Sequence, residues 1–521
     1  MTNQLLSAVA AAGFAALLLP HGEAQAQNRA AAEAAIERMG FARDGDSVSY
    51  ARADWSRGRY ILSDVVIRDL DVKGEDTDID GPEEMRVERL IFDAPRLDTA
   101  GDVMFDGVAL EGVSASDADG EGMMRIARIS VDEPNAAFVR DLVRVFSGED
   151  GDFDPDWSDY RFASAGFEGF SVTGEDEGGP FDIAIEQFVM QDYSDIELGR
   201  IALMGLRVDG SSQSGPVTVR LDEFSLTGFQ SGAYSDLMDT IAAGGDENAV
   251  MSAYYGSLTP QVDVFDRFAM RGFLADAEGV HLALDNMTAR IEQSGSRYIT
   301  QMSLDSMRLI PDAAKESGAQ LAMGLGMLGY EQLEVRMQSH GIYDEATGRA
   351  WTEGENFIEL TDGLRIEMNQ DVGGYNEYFE ALPEFAASME AGAGEEAQAD
   401  AALKLMAPIV LHNISLRLVD MSLLDRALDA GAAAQGVTRE ELRIQTGAMA
   451  AMGLMAAPPE VPRPMLAQLS TALTEFINRG GSLTIDMSPP EPISVGTIVE
   501  QVEAGTFDYN ALGLSFTAEG P

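Results

Sequence analysis

The clearest signal in the chain is a two-residue alternation of apolar and polar side chains that begins near Arg59. Tyr60-Ile61-Leu62, then Val65, Ile67, Leu70 and Val72, read as a half-buried strand. The same pattern predicts strands at Met85–Phe92, Val103–Ala115, Met123–Val131, Phe162–Val172 and Phe181–Met190. It continues at Ile196–Val208, Val217–Phe229, Phe265–Leu274, Val280–Glu292 and Tyr298–Ile310. The segments between these runs are rich in Gly and Asp, as hairpin loops should be. The strands share a weak repeat. Phe105-Asp-Gly-Val-Ala-Leu-Glu-Gly112 matches Phe162-Ala-Ser-Ala-Gly-Phe-Glu-Gly169, with looser copies at Leu198–Gly205 and Phe268–Gly272. The spacing is too irregular for a strict solenoid. It predicts a long antiparallel meander with one apolar and one acidic face, and the repeat glycines are expected at turns. Phe105, Val108, Leu110, Phe162, Phe167 and Phe170 lie in or beside these glycine positions. Strict alternation cannot place them all on one face, so some must sit on turns or bulges.

A helical period predicts other elements. An Ala-rich helix is expected at Arg29–Met39, one at Ala136–Phe146, and a helical pair at Tyr234–Ala243 and Ala249–Tyr255. Another should run from about Asp312 to Leu328, opened by Pro311. Tyr375–Met389 and Glu395–Met406 flank the break Gly392–Gly394, and Ser422–Ala434 ends before Gly436. Thr438-Arg-Glu-Glu441 is a capping box: the Thr hydroxyl can take the N3 amide while Glu reaches back. Pro464 opens a helix stopped by Gly480-Gly481, and Ser482–Met487 is a last strand. The fold class expected is therefore α+β: a long antiparallel β-meander with helical insertions and a mainly helical C-terminal third. The expected organisation is 1–26 as a signal peptide, 27–370 as the β-rich meander and 371–521 as a helix-rich region ending in short strands.

The signal peptide rests on the apolar run Leu5–Leu19 followed by Ala24-Gln25-Ala26, an A-x-A cleavage pattern that would leave Gln27 first. Pro20 and Gly22–Gln27 are expected to break any helix there. No later apolar run reaches the roughly 18 residues needed to span a bilayer, so the mature chain should not be an integral membrane protein. A periplasmic or secreted location follows, and the absence of cysteine fits an oxidising compartment.

Of the 521 residues, 88 are acidic and 35 basic, for a formal net charge of −53. Such a surface repels phosphate backbones, which argues against nucleic acid as a partner. Without cysteine there is no thiol nucleophile, disulfide or cysteine zinc site. No G-x-S-x-G elbow occurs, and His281, His340 and His412 have no i, i+4 partner for a zinc helix. Gly324-Leu-Gly326-Met-Leu-Gly329 matches the dinucleotide fingerprint. It lies in a helical stretch with no βαβ unit, so a close helix-packing surface is the expected role.

Two features carry candidate chemistry. Asp76-Thr-Asp78-Ile-Asp80-Gly81 opens like a calcium loop, since three alternating carboxylates can converge on a hard cation, but position twelve is Val87. Asp117-Ala-Asp119-Gly120 and Asp150–Asp156 are echoes, and solvated acidic loops are the competing reading. Met323, Met327, Met449, Met452 and Met455 lie among Ala, Gly and Leu. Methionine is flexible and polarizable, so these residues either complete a helix core or line an adaptable apolar groove. The core role predicts that Met452→Asp unfolds the chain, and the groove role predicts that the fold survives.

Trp55-Ser-Arg57-Gly58-Arg-Tyr-Ile-Leu-Ser63, leading into an alternating strand, resembles the opening of the YdgA-like periplasmic proteins. The helical segment Leu423–Met455 is similar to their late helical portion, and the whole pattern resembles the broader AsmA-like envelope proteins. The resemblance implies an envelope setting, a long β-meander and lipid handling. The expected function is a non-enzymatic exported envelope protein that handles lipid or binds a protein partner through an apolar sheet or Met-rich face. A calcium-responsive secreted structural protein and a hydrolase with a dispersed site are the alternatives.

Overall fold

The computed structural model describes residues 21–45, 48–68, 84–116, 123–147, 157–176, 179–194, 197–212, 215–230, 265–277, 279–390, 395–455 and 461–521. Among the described residues, twenty strands form one antiparallel sheet, and most of the nine helices described lie in the C-terminal part. The fold class is α+β, as the alternation implied. By contacts the chain divides into Met1–Gly205 and Leu206–Pro521.

The first unit begins with α1 (His21–Arg38). This helix runs through Ala24–Ala26, so Gly22 does not break it; its alanines outweigh one glycine. Ala32, Ala35, Ile36 and Met39 lie on one face and are buried. Then come β1 (Val48–Ser56) and β2 (Arg59–Arg68), joined by Arg57-Gly58, both at positive φ of 52° and 80°. Two left-handed central residues make the hairpin turn whose twist matches the strands. β3 (Glu84–Asp93), β4 (Arg96–Leu97), β5 (Val103–Met104), β6 (Gly107–Ser116), β7 (Met123–Asp132), α2 (Ala136–Ser147), β8 (Arg161–Asp176), β9 (Gly179–Ser194) and β10 (Glu197–Ser212) follow. Pairing runs β1–β2–β3–β6–β7–β8–β9. The single strand expected at Val103–Ala115 is split. β5 pairs with β4 in a separate ribbon, and Phe105 turns into the core edge-on to Phe92 at 5.4 Å. One sheet face packs with α1, Phe41 and α2 residues Val139 and Phe146 into a single core.

The repeat glycines sit inside strands as bulges, which corrects the expectation of turns. Gly112, Gly169 and Gly205 have φ of 65°, 63° and 63°, and Asp64 takes the same left-handed conformation at 53°. Pairing skips a position at each: Asp64 with Glu88, Glu88 with Gly112, Gly112 with Ala127, and Gly169 with both Ala127 and Glu186. The register is the same on either side of each skipped pair, so facing strands bulge together, and the core-facing interval changes from two to three. Leu62 and Val65, Val87 and Leu90, Leu110 and Val113, and Phe167 and Phe170 thus all reach the same core. The bulges that strict alternation required are therefore present. A β-carbon would not fit: one built on Gly169 lies 2.8 Å from the Ala127 β-carbon, and one on Gly112 lies 2.5 Å from the Glu88 side chain.

The second unit holds β11 (Gly215–Gln230), β12 (Arg267–Ala277), β13 (Val280–Ser294), β14 (Arg297–Pro311), α3 (Glu316–Met327), β15 (Leu333–Asp344), β16 (Arg349–Thr352), β17 (Phe357–Leu360) and β18 (Leu364–Gly373). It continues with α4 (Tyr375–Glu390), α5 (Glu395–Met406), β19 (Val410–Asp420), α6 (Leu423–Gln435), α7 (Arg439–Met455), α8 (Arg463–Arg479), β20 (Gly481–Met487), β21 (Ile493–Ser494), α9 (Val495–Glu503) and β22 (Leu514–Glu519). Strands β15 to β19 add sheet where the alternation had not been followed. β16 and β17 act as one interrupted strand against β15. The interruption is fastened by buried Asn356, whose Oδ1 accepts from the His340 amide at 2.6 Å and whose Nδ2 donates to the Glu353 carbonyl at 3.1 Å. The capping box forms as expected: the Glu441 amide donates to the Thr438 hydroxyl at 3.2 Å, and the Thr438 amide donates to the Glu441 carboxylate at 2.9 Å. The expected helical pair at 234–255 lies outside the described residues.

Candidate functional site

In the second unit, strand register assembles an apolar row that no single strand reveals. Phe224 pairs with Met270, Met270 with Met287, Met287 with Leu304 and Leu304 with Met337. Met337 then pairs with Ile358, Ile358 with Ile366, Ile366 with Leu418 and Leu418 with Leu483. Directly paired side chains point to the same side of a sheet, so these residues form one stripe across the strands. A second row, Phe273, Leu284, Met307, Val335, Leu360 and Leu364, runs beside it. Gly272, left-handed at 60°, and the register shift between Leu304 and Met307 keep both rows on one face.

Cover over this stripe is uneven. At one end α8 packs Leu469, Leu473 and Phe476 against Leu418 and Leu483, and Leu483 is only 4% exposed. Beyond α8 the stripe opens: Ile366 is 37% exposed and Ile358 53%, and Met368, two residues along β18 on the same face, is 51% exposed. Large apolar side chains so accessible, in line with one another, mark a surface with binding capacity rather than scattered exposure.

The opposite face of the same strands is closed by charge pairing. Buried Glu359 lies between Arg336 at 3.7 Å and Arg365 at 3.5 Å, and Arg365 stacks on Phe357 at 3.8 Å. Glu367 joins Arg365 at 2.9 Å and Arg417 at 3.2 Å. Arg349 hydrogen-bonds Asp371 and holds its carboxyl below the usual range. On this side the cations are neutralised in place, which leaves the apolar face as the one that offers contacts.

The methionines singled out in the sequence are not on the stripe. Met323 and Met327 are each 66% exposed on α3, and Met449 and Met452 are 59% and 62% exposed on α7, which Met455 ends. The core role is corrected for the first four by this exposure. Helix α7 packs on α6 and α8 rather than over the sheet, so its methionines do not close a groove there. Of the fingerprint glycines, Gly324 and Gly326 make no packing surface, since nothing lies within 4 Å of a β-carbon built on either, whereas one on Gly329 would meet the Arg426 guanidinium at 2.9 Å. The stripe methionines, Met270, Met287 and Met337, each look like ordinary strand residues until the four strands β12 to β15 are registered. Asp76, Asp78 and Asp80, with both acidic echoes, lie outside the described residues. Among the described residues no group of three or more His, Asp or Glu is placed to hold a metal ion, and no helix is long and apolar enough to cross a membrane. His281 pairs through Nδ1 with Asp276 at 3.0 Å.

In the first unit, the outer face of the sheet carries an open cavity of about 630 Å³ along the bulge line. Its walls include Asp64, Glu88, Gly112 and Gly169 on the bulges, and Arg86, Ser114, Arg125 and Ser171 beside them.

A family model described as an uncharacterized protein matches residues 357–519, from the first residue of β17 to the last of β22. No curated protein matches the chain.

Proposed function

We propose that this chain is a non-enzymatic exported envelope protein that holds lipid acyl chains on the apolar face of its second unit. The observation that carries this reading is the paired row from Phe224 to Ile366, together with the exposure of Ile358, Ile366 and Met368. Seven residues at strand spacing span about 29 Å. That length is ample for an acyl chain, since two opposed chains fill a hydrocarbon core of about 30 Å. Methionines in the row suit chains of differing length and saturation, because the thioether side chain re-packs easily. Export rests on Leu5–Leu19 and Ala24-Gln25-Ala26, and the resemblance to YdgA-like and AsmA-like proteins supports the same setting.

Native mass spectrometry of the protein recovered from its producing cells tests this. The expected result is a mature chain beginning near Gln27 that carries phospholipid or fatty acid. In Ile358→Asp the carboxylate can reach water, so the circular dichroism spectrum should be unchanged while bound lipid falls at least about fivefold. Met452→Asp, equally exposed but off the row, should retain both fold and lipid. Lipid-free wild type, or equal lipid in Ile358→Asp, overturns the reading, and a co-purified polypeptide in place of lipid makes the face a protein interface.

A further inference from the structure

The cavity in the first unit lies in a different unit from the apolar row and stands independently of it. Its outer wall is built by register. Arg86 of β3 pairs with Ser114 of β6, Ser114 with Arg125 of β7, and Arg125 with Ser171 of β8. The four side chains alternate guanidinium and hydroxyl on one side of the sheet, and all four line the cavity. Neighbouring strands lie about 4.8 Å apart, so the two guanidinium stems are rooted about 10 Å from each other with a hydroxyl between them.

The charges along this wall are not equally satisfied. Arg86 is paired with Glu84 at 2.7 Å. One row further along the strands, Glu111 takes both Arg89 and Arg128. Arg125 has no ion-pair or hydrogen-bond partner among the described residues, and neither do Ser114 and Ser171 on either side of it. Its outward neighbours on the strand are uncharged Met123 and, across the bulge, Arg128, which Glu111 takes. The carboxylates of the cavity, Asp64 and Glu88, are rooted on β2 and β3, and the Glu88 side chain reaches across to lie over Gly112 of β6.

We propose that Ser114, Arg125 and Ser171 form a binding site for a phosphate-type anion, with Arg86 as a second, partly neutralised cation at its edge. A guanidinium offers two parallel N–H donors that match two phosphate oxygens, and each hydroxyl can donate to a further oxygen. The wall leaves the anion open to solvent on one side. A phosphate monoester could therefore be free or the headgroup of a lipid.

Two probes separate these sources at fixed ionic strength near 0.15 M, where long-range repulsion from the acidic surface is screened. Inorganic phosphate is titrated calorimetrically, and vesicles of phosphatidylcholine with and without phosphatidic acid are tested by flotation. Saturable phosphate binding identifies a site that suffices for the free anion. Binding only to phosphatidic acid vesicles identifies a lipid headgroup site. In either case Arg125→Gln should weaken binding at least about tenfold, the loss expected for a charge-assisted bidentate contact. Arg29→Gln, which makes the same charge change far from the cavity, should leave binding unchanged. Arg125 is exposed, so the variant should melt as wild type does. Should it not, the double variant Ser114→Ala/Ser171→Ala reports instead, with a loss of several-fold. Absence of binding to both probes, or equal weakening by Arg29→Gln, overturns the proposal.

Discussion

Replacing Gly169 by alanine tests the claim that left-handed bulges hold the first unit's sheet together. Two costs can be separated. The first is backbone: an L-residue held at φ of 63° loses about 1–2 kcal/mol. The second is steric. The new β-carbon would sit 2.8 Å from the Ala127 β-carbon, where about 3.5–4.0 Å is comfortable. Both atoms belong to the backbone frame of paired strands, so neither can swing away, and relief by strand movement costs about 1–3 kcal/mol. The single variant should lose about 2–4 kcal/mol in urea denaturation followed by circular dichroism. Ala127→Gly alone should cost about 0.5–1 kcal/mol. In the double variant the clash is gone, and a cycle should return a coupling of about 1–3 kcal/mol. Gly324→Ala is the internal control. That residue lies in helix α3 with open space around its β-position, so alanine should stabilise by about 0.5–1 kcal/mol. A cost for Gly169→Ala below about 0.5 kcal/mol, or no coupling to Ala127, would refute the bulge argument.

Two further outcomes follow from the chemistry above. Hydrogen bonds from Thr438 hold the Glu441 carboxyl below its usual range, so its contribution to stability is present above the unfolded-state value and is lost as pH falls through the depressed one. The stability difference between wild type and Glu441→Gln should therefore be seen at pH 7 and vanish in acid; a difference constant across that range would place the effect elsewhere. If Asp76, Asp78 and Asp80 bind calcium, the ion should raise the melting temperature saturably and Asp78→Asn should weaken that response, whereas an identical response in the variant assigns the effect to charge screening.

The strands were legible because one face of each is buried and alternation survives in composition. Glycine also marked the bulge positions, since only it adopts a left-handed conformation without strain. Whether such a glycine turns the chain or merely kinks a strand depends on what lies across the sheet, and Phe167 and Phe170 resolve it only once both reach one core. Gly22 looks like a helix breaker on its own, but the alanines that follow it outweigh its cost within α1. Strands β15 to β19 were missed although Leu333-Glu-Val-Arg-Met-Gln338 alternates clearly; charged outward positions disguised it. The apolar row and the Arg125 cavity are the least legible features. Each is made from single residues on successive strands, and adjacency there is set by hairpin register rather than by distance along the chain. The methionines that cluster in sequence are, by contrast, scattered over helix surfaces.

Within the bulge row the left-handed residue recurs on every second strand: Asp64 on β2, Gly112 on β6, Gly169 on β8. The intervening strands answer with Glu88 and Ala127, whose side chains occupy the space the missing β-carbons leave. Such a sheet has a two-strand grammar. Lengthening it by a whole hairpin keeps donor and filler in step, whereas adding one strand would set two fillers, or two voids, side by side. Gene duplication in hairpin-sized steps is then the tolerated route of growth, and frayed copies of the Gly112 and Gly169 segments are what such growth would leave behind.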